Sequence, residues 1–469
     1  MKCEPNDNFD ISPLVRRFEK MIKSGKRFYH EESEFLKLME YYAEAHDYMF
    51  ALKVSGEAMI QYPFNIDFRL RHIESLVRYK DFDQAFEEVE KAAAIAPNDF
   101  EVHWMKAKIL ICKKSIEEAL AIIEILKSGA DNEALSRIYY LEGLANEAEE
   151  DFEEMFECLK YSLLCDPHNE NSLRKIWVCA EMINSFQESI ELHKHIINED
   201  PYSYMAWYNL GQAYSCEGEY EKALTAYEYA YLIEPGFELG YQDRGDLLFE
   251  LGRYEEALEC YNEWYEIIGP DPELMTLIGH CYLKIGLYNK AAWIFRSARR
   301  LDPYNDEIYY LIGECHFQKG EFISAINYYQ KALERESLKE EYYAAMASAF
   351  CQVGEYTKSH YYYQKAEEIG PDQAYIWKKH GLFLFSIGEH QEALAVLEEG
   401  IENTMDADLM YCKAGLLVKI NRMSEGMAAL EEALLHRYEN HQVFHEIVEG
   451  IDLDENILSM LKFFAPQSS

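Results

Sequence analysis

Between Trp207 and Pro235 the apolar positions fall in two short series. Trp207, Leu210, Gly211 and Tyr214 come first; Tyr220, Ala223, Leu224, Tyr227 and Ala230 follow a polar turn, Glu217-Gly218-Glu219. Spacings of three and four place each series on one face of a helix. The pattern therefore predicts a helix–turn–helix hairpin. A glycine just past the first helix takes the left-handed conformation that ends it. Pro235 stops the second, because proline lacks the amide and clashes with the preceding turn. Gly211, Ala223 and Ala230 are small enough for two helix backbones to approach, with larger residues filling the space beside them.

The hairpin recurs with a period of 34 residues. Gly211 is followed at that step by Gly245, Gly279, Gly313, Ala347, Gly381 and Gly415, and Ala223 by Ala257, Ala291, Ala325, Ser359 and Ala393. The turn glycine returns as Gly252, Gly286, Gly320, Gly354 and Gly388, and prolines keep the beat at Pro63, Pro97, Pro167, Pro201, Pro235, Pro303 and Pro371. One such hairpin cannot bury its apolar face alone, so a fixed period of this length predicts a stacked array.

With Trp207, Leu210, Gly211, Tyr214, Ala223, Tyr227, Ala230 and Pro235 in place, the chain resembles the tetratricopeptide repeat family over about residues 32–441. The resemblance implies an all-α, right-handed superhelical solenoid of about twelve 34-residue repeats. Two extra residues, between Pro97 and Pro167, are placed around 127–132. The expected organisation is an N-terminal segment (1–31), a first array (32–169), an atypical repeat (170–203), a second array (204–441) and a C-terminal cap and tail (442–469). The repeat at 170–203 is atypical because Trp177 replaces the small residue, while Ser189 and Ile196 hold the alanine slots. A wider helix crossing or a bend is expected there, and a second irregularity where Trp264 replaces an alanine beside "IIGPDP".

Both ends carry amphipathic segments. Leu14, Val15, Phe18, Met21 and Ile22 suit a helix with Ser12 as its N-cap and Pro13 in its first turn. Between Ile11 and Phe28, Arg16, Arg17, Lys20, Lys23, Lys26 and Arg27 face a single acid, Glu19. Such a helix covers the open end of the first repeat, or alternatively occupies an acidic groove or partner. At the other end Val443, Phe444, Ile447 and Val448, then Leu458, Leu461, Phe463 and Phe464, are expected to seal the last repeat.

Charge narrows the class of partner. The chain of 469 residues carries a formal charge of −40. That opposes nucleic acid, whose binding needs cations to displace phosphate counterions, and it disfavours anionic membranes. The acidic stretch "NEAEEDFEEMFE" (146–157) reads as a solvated helix face. No run of apolar residues is long enough for a membrane span, and the N-terminal "MKCEPNDNFDISP" lacks the apolar core of a signal peptide. Eleven scattered cysteines without C-x-x-C, several beside core positions such as Cys281 and Cys351, point to a reducing compartment, the cytoplasm.

Motifs for chemistry are sparse. His441 and His445 share a helix face near His436 but do not form H-E-x-x-H, and His193 and His195 point to different faces. There is no nucleophile elbow, phosphate loop or kinase signature, so no cofactor, metal or catalytic activity is expected. The resemblance implies instead a binding scaffold. Positions 2, 5, 6, 9, 12 and 13 of each repeat would line its concave face. The candidates on that face are Tyr208, Asn209, Gln212, Gln242, Asp243, Asp246, Tyr310, Glu314, Lys378 and Lys379. Phe249, Phe385, Arg174, Lys175, Lys413 and Lys419 occupy further such positions. Leu382, Leu416 and Val178 stand where a lysine–asparagine carboxylate grip would need asparagine, which argues against docking a heat-shock chaperone tail. The expected ligand is a protein or peptide segment. A chaperone-like holder of unassembled or secreted clients and a regulatory subunit of a separate enzyme are the alternatives, and self-association stays open.

Overall fold

The computed structural model describes residues 11–24, 29–450 and 453–465. Lys26 and Arg27, two of the N-terminal cations, lie outside these residues. Among the described residues there are 27 α-helices, one 3-10 turn and no strand. The chain divides into two compact units, Met1–Gly240 and Tyr241–Ser469.

The first unit stacks six hairpins: Glu32–Glu44 with Tyr48–Gln61, Ile66–Arg78 with Phe82–Ile95, Phe100–Cys112 with Ile116–Lys127, Asn132–Ala148 with Phe152–Cys165, Glu170–Met182 with Phe186–Glu199, and Tyr204–Cys216 with Tyr220–Ile233. The second unit begins within helix Glu238–Glu250, which is followed by Tyr254–Ile268. It continues with Pro272–Lys284 and Tyr288–Leu301, Asp306–Gln318 and Phe322–Leu333, Glu340–Gln352 and Tyr356–Ile369, Ala374–Ser386 and His390–Thr404, and Ala407–Lys419 and Met423–His436. The extra residues near 127–132 lengthen one helix: Asn132–Ala148 has 17 residues, a turn more than the usual 13.

Every hairpin turns through one left-handed residue. Gly218, Gly252, Gly286, Gly320, Gly354 and Gly388 hold that place in the glycine-bearing repeats, with φ between 74 and 90°. His46, Lys80, Lys114, Glu150, Asn184 and Asn421 hold it in the other six, with φ between 54 and 65°. The hydrogen bonding is the same in both sets. Glu219 N–H donates to Tyr214 O at 2.9 Å, and Asp81 N–H to Leu76 O at 3.0 Å. The conformation is thus imposed by the helix-ending turn and its bonds, and glycine only makes it cheaper.

The small residue at repeat position 8 does what its size implies. A Cβ on Gly211 would lie 2.6 Å from the Tyr227 ring, and one on Gly245 would lie 2.3 Å from the Tyr261 ring. The aromatic of the second helix lies flat against bare backbone of the first. The fifth hairpin cannot do this. Trp177 stays half-buried and stacks on Phe186 at 6.2 Å, and the two helices pack on each other less closely than in neighbouring hairpins. His193, fully buried, takes the aromatic's place. In the seventh repeat Trp264 is buried, and helix Tyr254–Ile268 runs to 15 residues before ending at Gly269 (φ 83°).

The last hairpin starts one residue ahead of the period, at Ala407. Gly415 therefore does not serve as its close-approach residue. Ala414 is fully buried instead, Gly426 approaches its backbone, and a Cβ on Gly415 would meet Ile447 of the C-terminal cap at 2.6 Å.

Caps close both ends. Leu14, Val15, Phe18 and Met21 of helix Ser12–Ser24 pack with Phe35, Leu38 and Tyr42 of the first hairpin. Phe444, Val448, Ile457 and Leu461, from helices Gln442–Ile447 and Glu455–Phe464 and the link between them, pack on the last. Leu458 and Phe463 stay exposed, contrary to the expected apolar face; Ile457, not foreseen, is buried in their stead. The acids of 146–157 behave as a solvated face: Glu149, Glu150, Glu153 and Glu154 are exposed above buried Met155 and Phe156.

Candidate functional site

In the second unit, first helices Asp306–Gln318, Glu340–Gln352 and Ala374–Ser386 together line an open cavity of about 600 Å³. Its wall repeats one rule. Tyr310, Glu314, Phe317 and Gln318 come from the first of these helices; Glu341, Ala345, Ser348, Cys351 and Gln352 from the next; Tyr375, Lys379 and Phe383 from the third. Most occupy positions 2, 5, 6, 9, 12 and 13 of their repeats, the set on one helix face. Tyr329 and Tyr363 reach the cavity from the second helices.

Those two tyrosines connect scaffold to site. Tyr329 Oη donates to the Glu314 carboxylate, and Tyr363 Oη lies 3.0 Å from Ser348 Oγ. The arrangement recurs elsewhere in the chain: Tyr261 Oη donates to Asp246, and Tyr227 Oη to Gln212 Oε1 at 3.2 Å. A tyrosine that packs flat on position 8 thus delivers its hydroxyl to position 9, one residue along the groove-facing helix. A buried phenol needs such a partner.

The cavity is aromatic and acidic. Tyr310 stacks on Tyr342 with ring centroids 4.9 Å apart, and Tyr342 Oη donates to Asp306 Oδ2 at 2.6 Å. Burial raises the Glu314 carboxyl above its ordinary range, outweighing the Tyr329 hydroxyl and Lys379. Burial also raises Glu341, helped by Glu340, Glu307 and Asp306 against Lys339. Tyr375 is pushed up to about 12 by burial, then by Glu340 and Glu341. Lys379 Nζ sits 5.4 Å from the Tyr375 ring centroid and makes no ion pair among the described residues.

Of the residues singled out in the sequence, the structure brings Tyr310, Glu314 and Lys379 to this cavity. Lys378, next in the chain, is held by Asp408 at 3.3 Å. Asp246 accepts from Tyr261, and Gln242 and Asp243 are half-buried on the same helix. In the first unit Gln212 Nε2 donates to Tyr208 Oη at 2.7 Å, and Tyr208 meets Phe237 edge-on at 5.0 Å. Asn209 is not a surface residue: it is 1% exposed and donates to Leu173 O at 2.8 Å. Its amide also faces His193 Nε2 at 3.2 Å.

Sequence reasoning missed Glu341, Ser348, Tyr375, Tyr329 and Tyr363. The first three were accessible to the same positional rule applied to two more repeats. The last two sit at a core position, where tyrosine reads as packing; the signal was its recurrence at Tyr227, Tyr261, Tyr329 and Tyr363.

Also missed was a second groove, of about 490 Å³, on the first helices of the first unit. It is lined by Arg71, Arg78, Trp104, Lys108 and Arg137 together with Asp67, Glu74 and Glu101. Its cations are largely engaged. Arg71 pairs with Asp67 at 3.2 Å, Arg78 with Glu74 at 3.0 Å, and Arg137 forks onto Glu101 at 2.6 and 2.7 Å. Lys108 lies 5.1 Å from the Trp104 ring centroid.

The histidines considered as ligands have ordinary partners. His436 Nε2 meets Met405 O at 3.0 Å, and His441 Nδ1 meets Tyr438 O at 2.9 Å. Among the described residues no group of three or more His, Cys, Asp or Glu side chains is placed to hold a metal ion, and no helix is long and apolar enough to cross a membrane.

Family models for the tetratricopeptide repeat match residues 204–237, 240–268 and 282–349. No curated protein matches the chain. Among solved structures, the APC/C hetero-tetramer Cut9-Hcn1 aligns over 97% of this chain and 99% of its own, at 13% identity and a TM-score of 0.37. A tetratricopeptide repeat protein from Parabacteroides merdae aligns over 53% of this chain and 98% of its own, at 17% identity and a TM-score of 0.39. YrrB, described as a TPR protein with an unusual peptide-binding site, aligns over 39% of this chain and 95% of its own, at 18% identity and a TM-score of 0.33. With three family matches falling on hairpins that repeat the same turn and the same close approach of an aromatic ring to a glycine, the chain is a multi-repeat tetratricopeptide repeat protein.

Proposed function

We propose that this protein is a non-catalytic adaptor that binds a segment of another protein along its first-helix face, centred on the cavity of Tyr310, Glu314, Glu341 and Lys379. One observation carries the reading. The first helices of three successive repeats present polar and aromatic groups into an open cavity, in the size range of ligand sites. Tyrosine supplies large, rigid, amphipathic contact at low entropic cost, which suits an extended or helical segment. Six of the ten described cysteines are buried and no disulfide joins any of the ten to one another, which supports a reducing compartment such as the cytoplasm.

The test is affinity purification of the full chain from native lysate, beside Ala345→Tyr, which fills the cavity from its half-buried wall. One dominant partner, lost in the variant, is the expected result. A broad set of weakly held proteins would favour a chaperone-like holder. An enzyme that co-purifies stoichiometrically would favour the regulatory-subunit reading. A partner retained by the variant would move binding to another face.

A further inference from the structure

If the cavity is a peptide site, its chemistry also narrows which side chain it takes. We infer, resting on that peptide-site reading, that the cavity receives a cationic side chain, lysine or arginine, from the bound segment. The cation is held between the Tyr310 and Tyr375 rings and the Glu314 and Glu341 carboxylates.

Three observations carry this. First, the walls are aromatic: Tyr310, Phe317, Tyr375 and Phe383 surround the space, and ring faces attract cations. Second, the charge facing the space is negative. Glu314 and Glu341 line it, and Glu307 and Glu340 act on the Tyr310 and Tyr375 hydroxyls from nearby. Of the neighbouring cations, Lys339 is paired with Asp306 at 3.0 Å. Third, the site already holds a cation of its own: the Lys379 ammonium lies 5.4 Å from the Tyr375 ring centroid, in no salt bridge among the described residues. A guest ammonium or guanidinium would share those rings and the Glu314 and Glu341 carboxylates with it.

Other occupants fit less well. An acidic side chain would face two carboxylates with only Lys379 to offset them. An apolar one would bury Glu314 and Gln318 with no group to replace water, which is costly. A guest cation adds to the Tyr329 hydroxyl and the nearby Lys379 charge, and like them it favours the ionised form of Glu314 that burial opposes.

The experiment selects random dodecapeptides displayed on phage against the full chain, then measures synthetic winners by fluorescence anisotropy. Winners are expected to share a lysine or arginine. Its replacement by norleucine or citrulline should weaken binding about tenfold, as should Glu314→Gln with Glu341→Gln. Lys379→Gln should tighten binding several-fold by removing the internal competitor. Glu431→Gln with Glu432→Gln, exposed acids of helix Met423–His436, should change little. That control matters because an acidic protein attracts basic peptides everywhere. Thermal melts check that each variant is folded.

Winners that lack a shared cation but are displaced by Ala345→Tyr would overturn the inference and leave the groove reading standing. Basic winners indifferent to the Glu314 and Glu341 changes, or equally weakened by the Glu431 and Glu432 changes, would reduce the effect to diffuse attraction and overturn it as well. Winners indifferent to Ala345→Tyr, or a selection that yields none, would defeat both.

Discussion

Single residues set the local cost of each turn and each close approach. Lys80 holds a left-handed conformation (φ 65°) that an L side chain adopts at a penalty. Lys80→Gly removes that penalty against a smaller entropic loss, so it should stabilise the first unit by up to about 1 kcal/mol in urea unfolding. Gly279 lies against Phe295, where a Cβ would come within 2.3 Å of the ring. Gly279→Ala should therefore cost about 1–3 kcal/mol by overpacking, read as a shift of the denaturation midpoint. His193 makes a pH-dependent contribution. Its Nδ1–H donates to Ser189 O at 2.7 Å, and Nε2 accepts from Asn209. Burial pushes its pKa down to about 4 from an ordinary 6.5. The depressed value means that its stabilisation is present above about 6.5 and lost as pH falls toward about 4, on the order of 3 kcal/mol in all. Melts across that window should show the loss in the native chain and a flatter profile in His193→Gln.

At the scale of elements, the hairpin is the unit, and its ends need covering. Phe18 of helix Ser12–Ser24 is fully buried against the first hairpin, beside Phe35 and Leu38. Phe18→Asp should strip the cap and expose that hairpin's core. Hydrogen exchange should then accelerate over Glu32–Glu44 and Tyr48–Gln61, with little change in Phe100–Cys112. The same scale explains the fifth hairpin. Because Trp177 cannot lie where a glycine would, the buried space is filled from the other side by His193, Asn209 and Ser189. We propose this splayed hairpin as the place where the array bends.

Over the whole molecule, charge dominates. With 85 acidic residues against 45 Lys and Arg, net repulsion opposes the folded state, while most ion pairs sit on the exposed surface and contribute little. Raising NaCl from about 20 to about 200 mM should therefore raise the melting temperature by a few degrees, since screening relieves repulsion more than it weakens the pairs. A fall over the same range would mean that the pairs matter more than the net charge.

The hairpins and their stacking were legible in the chain because they rest on local rules: helical spacing, glycine at the turn, proline at the stop. Even so, the six non-glycine turns were invisible one by one, since lysine or glutamate at a left-handed position follows from the turn's hydrogen bonds and not from residue preference. The one-residue advance at Ala407 was hidden for a similar reason: Gly415 kept the period while Ala414 kept the packing. The candidate face was legible as a set of positions, which put Tyr310, Glu314 and Lys379 together. What a position faces depends on its neighbours, and only the tertiary structure decided that. It sent Asn209 inward to His193, tied Lys378 to Asp408, and brought the Tyr329 and Tyr363 hydroxyls from a second layer of helices to the floor of the cavity. Periodicity names the side of a helix. Whether that side meets solvent, a partner or another helix is settled by side-chain volumes from elements tens of residues apart, and no local pattern records them.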